Sequence, residues 1–288
     1  MTLLITGGGS YLGRHLVPLA LANQDVAYTY FSNDPFNLAF GYQLDVRDKT
    51  AVTHLVSTLK PQTIIHTVGS NRGADMQQVI ETGAINITLV AQSVGARLVY
   101  LSTDVVFDGS QAPYAENDPP QPLHAYGRAK AVAEKTVSQY ANHVIIRTSL
   151  IYGLKLMDRG TEWITQALAA NKPVTLFTNQ RRNPVWAETL SLACLELAGN
   201  DYTGILHVAG SQEMSRADFA LRMLDWWGIT NRSKITLGAG DPKRWPADCT
   251  FDLRKATAVL DTPLLGVDAV LQGNGTNDSV DGRTAKRL

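Results

Sequence analysis

Three side chains stand out for what they could do together. Tyr126 and Lys130 lie four positions apart in "YGRAK" (126–130), and Thr103 closes the segment "RLVYLST" (97–103). Four residues is a little over one helical turn, so a helix here puts the phenol and the ammonium on one face. A phenol with its usual pKa of about 10 is a weak acid at neutral pH. An ammonium beside it favours the phenolate and lowers that value, which predicts a Tyr126 able to give up a proton and recover it from solvent. Reduction of a carbonyl by a nicotinamide needs such a step, with hydride going to carbon and a proton to oxygen. The pair alone does not decide the matter: with ten tyrosines in the chain, a lysine four residues on arises by chance about 0.6 times. The surrounding elements have to.

Short apolar runs rich in β-branched residues read as buried strands: "LLIT" (3–6), "VAYTYF" (26–31), "TIIHTV" (63–68), "RLVYLS" (97–102) and "HVIIRT" (143–148). Between them lie segments with helical spacing, such as Leu12, Leu16 and Leu19, then Thr50 to Leu59. Continuous apolar strands in β-α-β-α order imply a parallel sheet covered on both faces, and right-handed crossovers make it doubly wound. The prediction is an α/β chain. A dinucleotide-binding Rossmann domain spans 1–153 and is rejoined by about 184–208; a smaller α/β substrate lobe spans 154–270. In that lobe "SRADFALRMLDWW" opens a helix on Ser215 as N-cap. The polar, Gly-rich segment 271–288 reads as a flexible tail.

Bulk numbers narrow the field. The chain has 288 residues, 44% hydrophobic and 18% charged, with Lys plus Arg equal to Asp plus Glu at 26 each. Such a balance offers no strong field for nucleic acid or anionic membrane, so neither is an expected partner. Cys194 and Cys249 are far apart, and the six histidines are scattered without ligand spacing. No disulfide framework and no metal site are expected. "MTLLITGGGS" has no basic leader, and no run reaches the 18 or so apolar residues of a membrane span, which predicts a cytoplasmic protein.

The first strand runs into "GGGSYLGRHLV", where a dinucleotide fold needs a tight turn and the start of a helix. The spacing is T-G-x-x-G-x-x-G, with Thr6, Gly7 and Gly13 in place and Ser10 at the middle glycine. Backbone N–H groups near Tyr11 and Leu12 are the expected phosphate donors. The second strand ends Tyr30-Phe31-Ser32, without the carboxylate that holds ribose hydroxyls in an NAD site. Arg14, directly after the last loop glycine, could grip a ribose phosphate as a bidentate donor, with Asp34 the second choice as ribose ligand. NADPH is therefore the expected cofactor, with NAD an alternative.

This loop resembles that of the extended short-chain dehydrogenase/reductase superfamily. The resemblance implies Asp45-Val46 against adenine (a helix cap before "RDKTAVTHLV" being the other role open to Asp45). It places Thr67, Val68 and Gly69 of "HTVGS" along the cofactor, Lys130 on the nicotinamide ribose, Thr103 on the substrate carbonyl, and Tyr126 as proton donor. Longer phrases, "LSTDVVFDG", "AENDPPQPLHAYGRAKAVAE" and "IIRTSLIYG", are similar to dTDP-4-dehydrorhamnose reductases over roughly residues 2–265. That implies reduction of a 4-keto nucleotide sugar, with Asp104 and Val105 beside Thr103 at the substrate, and it admits a homodimer. Leu150 stands where those enzymes usually carry Trp, and "RRNPV" (181–185) replaces their usual phrase. Arg181 or Arg182 is the expected diphosphate ligand, being in the lobe behind the strand ends. Two other readings stay open. One is a dinucleotide-binding regulatory module resembling that of methionine adenosyltransferase. The other is an epimerase or dehydratase of the superfamily, although a dehydratase needs an acid pair where the chain has Asp104-Val105.

Overall fold

The apolar runs become the centre of one sheet in the computed structural model, which describes residues 2–275. The first half of the chain supplies β1 (Leu3–Thr6), β2 (Val26–Tyr30), β3 (Gly41–Gln43), β4 (Thr63–His66), β5 (Arg97–Thr103) and β6 (His143–Thr148). It also supplies α1 (Tyr11–Leu21), α2 (Lys49–Leu59), α3 (Met76–Val94) and α4 (Ala125–Val137). β3 has no apolar run to announce it, because none of its three side chains is buried. The second half adds β7 (Ile151–Tyr152), β8 (Val174–Phe177), β9 (Arg181–Arg182), β10 (Val185–Trp186), β11 (Gly204–His207), β12 (Met214–Ser215) and β13 (Ile235–Gly238). Its helices are α5 (Arg159–Ala169), α6 (Ala187–Gly199), α7 (Arg216–Trp226), α8 (Arg254–Val259) and α9 (Val267–Asn274).

Seven strands form the main sheet in the order β11-β6-β5-β4-β1-β2-β3, every neighbouring pair parallel. Alternate residues of one strand serve two cores. Leu3 and Ile5 pack with α1 and α6, whereas Leu4 packs with α2, α3 and α4. Strand order reverses at β1, which pairs with β2 on one side and β4 on the other. A crevice opens at such a switch point, above the carboxyl ends of the strands.

Beyond β6 the chain builds a lobe over those ends. β8 pairs in parallel with β13, and α5 and α7 pack against β8 through Ile164, Leu168, Val174, Leu176, Ala220 and Leu224. β9 pairs antiparallel with β12, and β7 in parallel with β10. Ser215 caps α7 by accepting from the Asp218 N–H. The segment 271–288 is not all tail, because residues 271–274 belong to α9. Val267 and Val270 are buried there against Tyr152 and Phe219, and two valines in "GVDAVLQ" suffice to dock one short helix. The rest of that segment from 276 lies outside the described residues. Among the described residues, no helix is long and apolar enough to cross a membrane.

One ion pair lies deep between sheet and helix. Arg147 on β6 and Glu134 on α4 meet at 2.9 Å with side chains 2% and 5% exposed. Ser102 on β5 donates to Glu134 Oε1 at 2.5 Å, and Arg147 also donates to the Glu116 carbonyl at 3.2 Å. Arg147→Met leaves the carboxylate buried without its cation, a loss of about 3–5 kcal/mol. Adding Glu134→Gln should restore most of it, as read by urea denaturation. Strictly additive losses would show that the two charges are not coupled.

Candidate active site

The phosphate end of the cleft is set by how α1 begins. Ser10 caps the helix, its hydroxyl accepting from the Gly13 N–H at 3.0 Å and lying 3.1 Å from Thr67 Oγ1. The serine in place of the middle glycine thus turns its side chain into the helix end and the tip of β4. A Cβ at Gly13 would stand 2.3 Å from the Gly7 carbonyl oxygen, so only glycine lets α1 close on the loop. Gly7, Ser10, Tyr11 and Leu12 line a cleft of about 1060 Å³, as do Thr67, Val68 and Gly69, with Gly13 supporting the loop from behind. A helix N-terminus facing so large a cleft fits the diphosphate of a dinucleotide.

At the far side of β1, Ser32, Asp45 and Val46 also line the cleft. Asp34 is spent: it accepts from the Tyr28 hydroxyl at 2.7 Å and from the Phe36 N–H at 3.0 Å. Asp45 accepts from Arg47 Nε at 2.9 Å, and the Arg47 guanidinium holds its carboxyl below the ordinary carboxylate range. Arg47 also reaches Asp75 at 2.7 Å and lies 5.9 Å from the centre of the Phe31 ring. Asp48, not Asp45, caps α2 by accepting from the Ala51 N–H. Arg14 is exposed on the first turn of α1 and does not line the cleft. Arg47 lines the cleft at this end, and sequence reasoning missed it because it lies beyond the second strand.

The chemistry end is assembled by a close approach. After Thr103 the chain makes a 3-10 turn over Asp104–Val106, and α4 sits on that turn. A Cβ at Gly127 would come within 2.2 Å of the Val105 carbonyl oxygen. The glycine inside "YGRAK" therefore brings Tyr126 beside Thr103. Thr103, Tyr126 and Lys130 all line the cleft.

Lys130 is 3% exposed. Its ammonium donates to the Leu101 carbonyl at 2.8 Å and to the Tyr100 hydroxyl at 3.4 Å, and stands 4.8 Å from the centre of the Tyr100 ring. Burial pulls its pKa down to about 8, with the Glu134 carboxylate acting upward. Tyr126 departs from the sequence expectation. Its pKa is raised, first by burial and then by the Asp104 carboxylate, with the Thr103 hydroxyl opposing. The lysine ammonium is engaged on β5, and burial with the Asp104 charge holds the phenol above its ordinary value.

The remaining predicted substrate residues do other work. Asp104 accepts from Ser149 Oγ at 2.7 Å and pairs with Arg182 Nε at 3.3 Å, away from the cleft wall. Val105 belongs to the turn that carries α4. Arg182, 3% exposed, donates to the Pro246 carbonyl at 2.9 Å and the Ala247 carbonyl at 3.2 Å. Arg181 pairs with Glu213 at 3.1 Å and Asp248 at 3.7 Å. Neither arginine lines the cleft, so the expectation of a diphosphate ligand at these two positions is corrected. Arg159, Trp163 and Arg216 do line it.

The depressed pKa of Lys130 has a direction in stability. Between pH 8 and its ordinary value of 10.5 the unfolded chain binds more protons at this site than the folded one, so its contribution to stability rises with pH. The stability of the parent relative to Lys130→Met should therefore increase across that window. Urea denaturation of both proteins at several pH values checks it; a constant difference would place the lysine's pKa near that of a free lysine.

The family model described as the RmlD substrate binding domain matches residues 1–266. Methionine adenosyltransferase 2 subunit beta of Xenopus laevis is 30% identical over 251 residues, covering 78% of this chain and 72% of that protein. The dTDP-4-keto-6-deoxy-D-glucose reductase of Streptomyces niveus is 29% identical over 254 residues, covering 84% and 80%. Among solved structures, a hypothetical dTDP-4-dehydrorhamnose reductase from Sulfolobus tokodaii aligns with a TM-score of 0.80 at 26% identity, covering 93% of this chain and 98% of that one. A Bacillus anthracis dTDP-4-dehydrorhamnose reductase in complex with NADP aligns with a TM-score of 0.77 at 22% identity, covering 91% and 95%. A family model that spans nearly all of the described residues places the chain: it belongs to the RmlD substrate binding domain family.

Proposed function

We propose that this protein reduces the 4-keto group of a nucleotide sugar, with NADPH as reductant and Tyr126 as proton donor. The observation that carries the reading is the placement of Thr103, Tyr126 and Lys130 on the wall of the cleft that the glycine loop opens. The nicotinamide supplies the hydride when bound. Gly7, Ser10, Tyr11 and Leu12 would hold the diphosphate and Lys130 the ribose. The chain's own part is the proton. Burial and the Asp104 charge keep it on the Tyr126 phenol until negative charge develops on the substrate oxygen. The Thr103 hydroxyl, 3.2 Å from Asp104 Oδ1, would orient the carbonyl beside it. Asp104 is tied to Arg182 and Ser149, which leaves a dehydratase without a free acid at this position.

Two observations support NADPH over NADH. No free carboxylate closes the tip of β2, because Asp34 is held by Tyr28, and the solved relative from Bacillus anthracis carries NADP. We assign the 2′-phosphate contact to Arg47. Arg47→Ala should weaken NADPH binding by roughly ten- to a hundredfold and leave NADH nearly unaffected, whereas Arg14→Ala should change neither. Fluorescence titration with both cofactors checks this, and equal affinities in the parent would refute the preference.

The decisive test is Tyr126→Phe, which removes one hydroxyl and leaves the packing. Turnover of dTDP-4-keto-6-deoxy sugars, followed by loss of NADPH absorbance, should fall by about 10²–10⁴ in kcat, with cofactor affinity retained. Full turnover in the variant would end this mechanism. The relationship to methionine adenosyltransferase 2 subunit beta favours a second reading, a regulatory module that binds dinucleotide. A parent that binds NADPH and reduces none of these sugars would favour that one.

A further inference from the structure

The segment "PPQPLHAYGRAK" (119–130) brings an unusual residue to the start of α4. Prolines at 119, 120 and 122 keep the approach out of helix, and the helix begins at Ala125, so His124 is its N-cap. That position ordinarily takes Ser, Thr, Asp or Asn, whose short side chains offer an oxygen to the helix end. Here an imidazole does the capping. His124 has extended backbone, φ −128° and ψ 166°, and its Nδ1 accepts from the Gly127 N–H at 3.2 Å. A ring nitrogen accepts only while it carries no proton, so this cap is the neutral tautomer with its hydrogen on Nε2.

The flat ring also makes contacts that Asn could not. It lies nearly parallel to the Tyr126 ring, with the planes 21° apart and the centroids at 6.4 Å, and the Trp245 indole stands 5.2 Å from it. The phenol is thus flanked by the cap of its own helix, and the cap by an aromatic residue of the loop after β13. The capped N–H belongs to Gly127, whose missing Cβ lets α4 rest on the Val105 carbonyl. Whatever loosens the cap loosens the turn that brings Tyr126 beside Thr103.

The ionisable groups around the imidazole come from four elements. They are Asp104 after β5, Tyr126 and Arg128 on α4, Arg182 on β9, and Lys243 and Arg244, exposed on the loop of Trp245. Burial holds the His124 pKa below its ordinary value of 6.5; Asp104 acts upward, and Arg128 and Arg182 downward. The ring is therefore neutral at pH 7. In acid, Nδ1 gains a proton and turns from acceptor into a donor facing the Gly127 N–H. The new cation also sits at a helix N-terminus, where the helix dipole opposes it.

We propose that His124 is a positioning residue for Tyr126: as a neutral cap it holds the first turn of α4 and braces the phenol, and its protonation in acid releases both. The proposal rests on the reductase reading for what the phenol does, and on the cap and the ring contacts for what holds it.

The test compares the parent with His124→Asn, which keeps an uncharged cap, and His124→Ala, which removes it. With NADPH saturating, kcat of the parent should fall by roughly three- to thirtyfold between about pH 7.5 and pH 5, the range covered by one lost helix cap. In His124→Asn it should stay level over the same range. In His124→Ala it should be low at every pH, with KM for NADPH unmoved in both variants. Two readouts need no turnover. The ring signal of Tyr126 in protein labelled with 13C-tyrosine, assigned by its loss in Tyr126→Phe, should move with pH in the parent and stand still in His124→Asn. In urea denaturation the parent should lose stability relative to His124→Asn as pH drops below 6.5, because there the unfolded chain binds more protons at this residue than the folded one. An active parent whose kcat does not fall in acid would overturn the proposal. So would an equal fall in His124→Asn, or a Tyr126 signal that follows pH alike in both proteins. A Tyr126 signal that depends on His124, in a protein that reduces no keto sugar, would leave the positioning role standing and remove the reductase reading.

Discussion

The Glu134 carboxylate is buried where three elements meet, and it is satisfied by Ser102 from β5 and Arg147 from β6 while its own backbone belongs to α4. A charge in that position tolerates little rearrangement, because desolvation is repaid only in one geometry. It therefore fixes how far α4 stands from the ends of β5 and β6. Lys130 lies one turn earlier on the same helix and Tyr126 one turn before that, while Thr103 follows Ser102 directly on β5. One buried ion pair thus sets the register of all three cleft residues. Arg147 extends the network to the Glu116 carbonyl and lies 5.0 Å from the centre of the Phe107 ring, so the loop between β5 and α4 is held from the same point.

Charge in the cleft is arranged with equal economy. Arginines that the sequence offers for anion binding divide into those that brace the fold and those that face the open space. Arg182 has its guanidinium occupied by Asp104 and the 246–247 backbone; Arg47, paired with Asp45 and Asp75, and Arg216 line the cleft. The acidic residues behave likewise, Asp34 and Asp104 being bound to neighbours. What lines the open space is a glycine-loop helix end at one side and, at the other, the Arg216 guanidinium, whose side-chain partner is the neutral Gln180.

Much of this was legible in the sequence, and the boundary of legibility has a physical reason. Continuous β-branched runs announce buried parallel strands, and the glycine spacing and the four-residue Tyr–Lys interval are local patterns. Those signals carry five of the seven strands of the main sheet and the four loop residues that line the cleft, while Thr67, Val68 and Gly69 at the β4 tip come with the family resemblance. Failures come where direction depends on pairing between distant segments. "RR" at 181–182 reads as a candidate diphosphate pair, and the antiparallel contact of β9 with β12 goes with an Arg182 turned inward and an Arg216 on the cleft wall. The Tyr126 phenol is similar: the ammonium one turn away suggests activation, but the side-chain path of Lys130 leads to the Leu101 carbonyl. Arg14 fails more simply, since the residue after a loop glycine faces outward as soon as the helix turns.

Tyr126 has a place in this fold that its neighbours do not share. Lys130 and Glu134 have structural hydrogen bonds that the sheet depends on, whereas the Tyr126 ring packs at the edge of a core and its hydroxyl faces the cleft beside Thr103. The atom to which the proposed reduction assigns the proton is therefore among those that matter least for folding. A descendant of such a chain can lose the hydroxyl without losing the scaffold, or retain it after its substrate is gone. Catalysis and architecture can drift independently here, so a lineage of this shape has room for both turnover enzymes and subunits that only bind.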